Sequence, residues 1–150
     1  MITYKKAAIT DLERISYLMT KLHTDADYEE LLEENKHFID KGAFFVAVDG
    51  EKIIAYVFGL IRRDYVEGSL QYKDPIVGYI ESLYVLPKYR KQGIARELCG
   101  RLEEWARDMG AAEFASDAYA SNKRSINFHK AIGFEATKPV VHFIKPLTKK

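Results

Sequence analysis

A chain of 150 residues, 47% hydrophobic and 30% charged, can bury one good core and is too apolar for intrinsic disorder. Its 23 basic and 22 acidic residues leave a net charge of +1, so bulk electrostatics makes no case for a nucleic-acid or membrane partner. A lone Cys99, no apolar signal core in residues 1–6 and no stretch near the roughly 20 apolar residues of a membrane span point to a reduced, cytoplasmic protein with one domain over residues 1–150.

The predicted elements begin with a short strand, residues 2–5. Thr10-Asp11-Leu12-Glu13 has the form of a capping box, and Leu12, Ile15, Met19 and Leu22 follow at helical spacing. Tyr28, Leu31, Leu32, Phe38 and Ile39 predict a second helix that Gly42 ends. Residues 43–48 and 53–61 are β-rich runs separated by Asp49-Gly50, a pair that favours a tight hairpin. After a polar segment, residues 76–86 form a third long strand, closed by Pro87. Ile94, Leu98, Leu102, Trp105 and Met109 then make one apolar helical stripe, which Gly110 stops. Cys99 falls within this helix and reads as a small core residue rather than a reactive thiol. Residues 112–116 predict a short strand, 122–132 a further helix, and Phe134 and residues 140–144 begin two last strands. Local strand pairing followed by a strand-helix-strand unit implies an α/β protein with a mixed sheet flanked by helices.

The turn between the third strand and the long helix reads Arg90-Lys91-Gln92-Gly93-Ile94-Ala95. Backbone N–H groups, a positive helix end and two basic side chains converge there, which suits a phosphate. A solvated basic helix start is the plainer reading, but the preceding strand and the element order favour the phosphate. The pattern Arg-x-x-Gly-x-Ala resembles the pyrophosphate-binding signature of the GCN5-related N-acetyltransferases. Asn122-x-x-Ser125-x-x-Phe128-His129-x-x-x-Gly133-Phe134 resembles the same family's second signature. The resemblance implies a central, mixed and splayed sheet of about seven strands flanked by about four helices. It also implies acetyl-coenzyme A as cosubstrate, its pyrophosphate on the amides of Gln92, Gly93, Ile94 and Ala95, with charge from Arg90 and Lys91. Asn122 would bind the pantetheine arm, and Leu83 and Val85 would offer backbone N–H groups where the sheet halves part, with a β-bulge as the expected cause. His129 stands where the family often has a Tyr that protonates the departing thiolate; a structural role for a lone helical His is the alternative.

Acetyl transfer needs a neutral amine, and deprotonating an alkyl ammonium at neutral pH costs about 4–5 kcal/mol. Glu81, a carboxylate in an otherwise mostly apolar strand, is the first candidate to handle that proton, and Asp117, just beyond the next strand, is the second. Each could instead serve a salt bridge or a helix cap. The strings around residues 61–68, 79–87, 113–117 and 133–137 are together similar to the aminoglycoside 6'-N-acetyltransferases. That resemblance implies aminoglycoside contacts at Tyr65, Glu81, Asp117 and Glu135, carboxylates binding amines and the tyrosine packing on a sugar face. His23 stands where such enzymes often carry a substrate-stacking Trp, and Phe143 replaces a Tyr.

The expected reaction is direct attack in a ternary complex, with no metal and no covalent enzyme intermediate, on a polycationic amine. A polyamine, a small amine or a protein amino group is the alternative acceptor, and a homodimer the expected assembly. A non-catalytic acyl-coenzyme A or nucleic-acid binding module, built on the basic-aromatic run Lys88-Tyr89-Arg90-Lys91, is the alternative from another class.

Overall fold

The computed structural model describes residues 1–71 and 73–148. Its elements are β1 (Ile2–Lys6), α1 (Leu12–Leu22), α2 (Tyr28–Phe38), β2 (Ala43–Asp49), β3 (Lys52–Arg62), β4 (Val77–Val85), α3 (Ile94–Asp108), β5 (Glu113–Ala115) and α4 (Lys123–Ala131). The strands form one sheet in sequence order, antiparallel from β1 to β4 and parallel between β4 and β5. This is the expected mixed α/β sheet, with five strands among the described residues where about seven were predicted. Val140, Val141, Phe143 and Ile144 lie outside any ladder, and Phe143 and Ile144 are more than nine-tenths exposed. A strand needs a neighbouring edge for its N–H and C=O groups, so β-propensity there does not suffice.

The chain divides into two compact units, Met1–Asp117 and Ala118–Lys150. In the first, one face of the sheet packs on α1 and α2 through Leu12, Ile15, Leu18, Met19, Leu32, Phe44, Val46, Tyr56 and Phe58. Buried Asn35 of α2 donates to Ser16 Oγ at 2.8 Å, which satisfies both groups and fixes the two helices' register. The expected capping box takes another form: a short 3-10 turn, Ile9–Asp11, precedes α1, and the Asp11 carboxylate accepts the Ala8 N–H at 2.8 Å. Thr10 plays no part in it.

The other face carries α3. Its stripe runs Ile94, Leu98, Leu102 and Ala106, with Cys99 beside it; Trp105 is half-buried and Met109 is 49% exposed. Strict i+4 spacing favours Ala106 over the bulkier pair because the sheet comes very close. A Cβ on Gly59 or Gly78 would sit 2.5 Å from Leu102 or Ala106. Burial pushes the Cys99 thiol up to about 12, which keeps it protonated and supports the core reading.

In the second unit, α4 is capped by Asn122, whose Oδ1 accepts the Ser125 N–H at 3.1 Å. Among the described residues no helix is long and apolar enough to cross a membrane.

Candidate active site

The sheet opens where β4 loses one neighbour. β5 pairs only with Val77, Gly78 and Tyr79, while β3 follows β4 to Val85. Between Phe58/Ser82 and Gly59/Ile80 the ladder advances two residues on β4 for one on β3, so Glu81 is the unmatched residue of a β-bulge. The bulge reverses the alternation of β4. Gly78 and Ile80 share the α3 face and Tyr79 the opposite one, but Ser82 and Tyr84 pair with Phe58 and Tyr56 on that opposite face.

The same geometry aims the backbone. Leu86 N–H bonds Ile54 O on β3 at 3.0 Å, so by alternation the N–H groups of Val85 and Leu83 point away from β3, toward the edge β5 has left. Arg90 Nε donating to Val85 O at 2.8 Å from that side agrees. The two predicted backbone donors therefore face the opening.

Beyond Val85 a 3-10 turn, Pro87–Tyr89, leads into the basic segment. Lys91 and Gly93 take positive φ angles of 63° and 82°, and α3 starts immediately, its first 5→1 bond being Glu97 N–H to Gly93 O at 3.0 Å. The N–H groups of Ile94, Ala95 and Arg96 thus precede the helical ladder and project from its positive end. Lys91 and Gln92 are exposed, and the space above Gly93 is open. Glu97, the one acid of the first turn, is paired with Arg101 at 2.9 Å. This set of donors fits a pyrophosphate. Arg90 is partly committed, strapping the turn to β4 and lying 5.3 Å over the Tyr84 ring.

Both predicted carboxylates of the first unit belong to one network. Arg62 Nε and Nη2 donate to Glu81 at 3.0, 3.1 and 2.8 Å, engaging both oxygens. The same guanidinium lies 3.6 Å over the Tyr79 ring, and the Tyr79 hydroxyl donates to Asp117 Oδ2 at 2.7 Å. Burial pushes the Tyr79 phenol well up, and its hydrogen bond to Asp117 adds to the shift. His23 caps α1 with Nε2 3.5 Å from Ser82 Oγ, and Ser82 also shares a 2.6 Å hydrogen bond with buried Tyr56. His23, Glu81 and Asp117 are thus brought together around the bulge. Tyr65 is exposed in the β3–β4 loop. That loop is tethered at Glu113, which accepts from Ser69 Oγ at 2.6 Å, Leu70 N–H at 3.0 Å and Gln71 Nε2 at 2.6 Å. Those donors hold the Glu113 carboxyl below its ordinary value.

In the second unit the Nδ1 of half-buried His129 is 2.7 Å from Ser125 O. That carbonyl can only accept, so Nδ1 carries a proton. The ring meets Phe128 and Phe134 edge-on. Glu135 is exposed, and Asn122 spends its carbonyl on the cap, which leaves its amide NH₂ to donate elsewhere.

Sequence reading did not single out Arg62, Tyr79, Ser82 or Tyr56 as part of the site. The one available signal was an arginine at the end of the strand that pairs with the Glu81 strand. Among the described residues no cluster of His, Cys, Asp and Glu is arranged to hold a metal.

A family model described as the acetyltransferase (GNAT) family matches residues 7–134. The aminoglycoside N(6')-acetyltransferase type 1 of Acinetobacter haemolyticus is 34% identical over 144 residues, 95% of this chain and 97% of that protein. The crystal structure of aminoglycoside antibiotic 6'-N-acetyltransferase AAC(6')-Ih from Acinetobacter baumannii superposes with a TM-score of 0.88 at 31% identity, covering 99% of this chain and all of that one. AAC(6')-Iy in complex with the bisubstrate analog CoA-S-monomethyl-acetylneamine superposes with a TM-score of 0.90 at 28% identity, over 97% of this chain and 99% of that one.

Proposed function

The chain belongs to the acetyltransferase (GNAT) family, and on that premise we propose that it transfers the acetyl group of acetyl-coenzyme A to the 6'-amino group of aminoglycosides. The observation that carries the reading is the split of β4 from β5 at the Glu81 bulge, followed directly by the phosphate turn before α3. The similar proteins named for this activity support the acceptor.

Acetyl-coenzyme A supplies an activated acyl carbon on a thiol leaving group. The amides at residues 92–95, with Arg90 and Lys91, hold its pyrophosphate, and the outward N–H groups of Leu83 and Val85 orient the arm and the thioester oxygen. Asn122 adds a pantetheine contact. The bound ammonium first gives up one proton to the acidic cleft and on to water; the neutral nitrogen then forms the new C–N bond as the C–S bond breaks, and the second proton it loses balances the one that reaches the sulfur, without metal or covalent enzyme intermediate. Glu81 and Asp117 supply the acidic cleft that receives the polycation and its proton, and His129 is the donor to the thiolate. Tyr65, Glu135 and His23 complete the acceptor contacts. Acetylation turns an ammonium into a neutral amide, so product binds the acidic cleft less well than substrate.

The protein acts as a cytoplasmic homodimer of single-domain chains. The exposed apolar run Val140, Val141, Phe143 and Ile144 supports the assembly, since a second copy would offer an edge to pair with. A thiol-release assay with acetyl-coenzyme A against kanamycin, spermidine and a basic peptide tests the acceptor. Preference for kanamycin is expected; preference for spermidine or peptide moves the activity to another amine, and no release with any of them overturns the enzyme reading.

A further inference from the structure

We propose that Arg62 is a positioning residue for acetyl transfer: it neutralises and fixes Glu81, and through Tyr79 it leaves Asp117 as the carboxylate that holds the acceptor's ammonium group. The inference rests on the reading of the protein as an amine acetyltransferase and says how its acidic cleft divides its work.

Arg62 pairs in the ladder with Val77, so its side chain runs along the face that carries Tyr79 and then Glu81. Passing over the Tyr79 ring at 3.6 Å, it reaches both oxygens of Glu81. A planar guanidinium in this double contact is a far better partner for a carboxylate than an incoming alkyl ammonium. The pair sums to zero charge. An ammonium brought to Glu81 must displace the fork and then face the released cation.

Asp117 is different. Among the described residues its hydrogen-bond partner is the Tyr79 hydroxyl, which orients Oδ2 without cancelling the negative charge, and no cation is paired with it. It lies just past the end of β5, beside the opening in the sheet. One aromatic ring therefore serves both carboxylates: its face seats the cation that neutralises Glu81, and its hydroxyl aims the charge that stays active.

The test is a charge cycle on the amine that the wild type turns over, reading KM and kcat by thiol release and acceptor affinity by calorimetry, with thermal melts showing that each variant is folded. E81Q leaves the Arg62 charge uncompensated in the cleft and raises the acceptor KM about tenfold, the equivalent of one lost charge contact. Adding R62M to E81Q removes the stray cation and brings KM back down from the E81Q value. R62M alone frees Glu81 to capture the amine, so kcat falls while KM stays level or drops, a split that a merely structural pair does not produce. R62K, which keeps the charge and loses the fork, lies between. D117N raises KM at least tenfold in both the wild-type and the E81Q/R62M backgrounds. An E81Q/R62M double variant no better than E81Q, or a D117N variant binding like wild type, overturns the assignment while leaving the acetyltransferase intact. A wild type that neither binds nor acetylates any amine overturns the parent reading, and this one with it.

Discussion

The left-handed φ of 82° at Gly93 costs an alanine about 1 kcal/mol or more, and the same backbone turn presents the amides proposed for pyrophosphate. G93A should lower the unfolding free energy in urea by that amount and weaken coenzyme A binding more than aminoglycoside binding, as separate titrations would show. Glu113 makes a pH prediction. Its three donors favour the carboxylate, so its folded value lies below the ordinary one near 4.5. The tether of the Tyr65 loop is thus fully present above that ordinary value and is lost as the pH falls through the depressed one. E113Q should therefore be less protected than wild type against proteolysis in residues 63–71 at pH 7, and the difference should shrink as the pH falls through the depressed value. At both positions the residue type was visible in the sequence. That glycine is demanded by φ, and that Glu113 reaches back some forty residues to a loop, are facts of backbone geometry that no local pattern encodes.

Each helix owes its placement to a few close contacts. The approach of α3 to the sheet depends on Gly59 and Gly78, and G78A would set its methyl 2.5 Å from Ala106 Cβ. Overpacking of this kind costs about 1–3 kcal/mol; denaturation should show that loss, and A106G in the same chain should recover most of it. The β4 bulge is the other decisive element. Alternation of apolar residues made the strand legible, and Glu81 was visible as the residue that breaks the pattern. Its place as the extra residue of the ladder, and the switch of face it imposes on Ser82 and Tyr84, depend on pairing with β3. A capping-box pattern like that before α1 is compatible with several local turns, and here the Asp11 side chain closes the 3-10 turn before the helix. The last strands differ for another reason: residues 140–144 have the propensity, but among the described residues they join no ladder.

For the whole molecule that unpaired run makes the assembly testable. Light scattering should give twice the chain mass, and V141D with I144D should shift the protein toward monomer; a wild type that is monomeric at micromolar concentration would rule out the proposed dimer. Element order, the basic Gly-containing turn and the family signature are local in sequence, because propensity, turn chemistry and helix-end amides act over a few residues, and so the fold class and the turn proposed to hold the cofactor could be read directly. The division of labour in the acidic cleft could not. Arg62 ends β3, Tyr79 and Glu81 lie within β4 and Asp117 follows β5, and their joining through one ring requires the β3–β4 register, the bulge and the early end of β5. Which carboxylate is neutralised and which keeps its charge is a matter of distances across the sheet, and those exist only once the chain has folded.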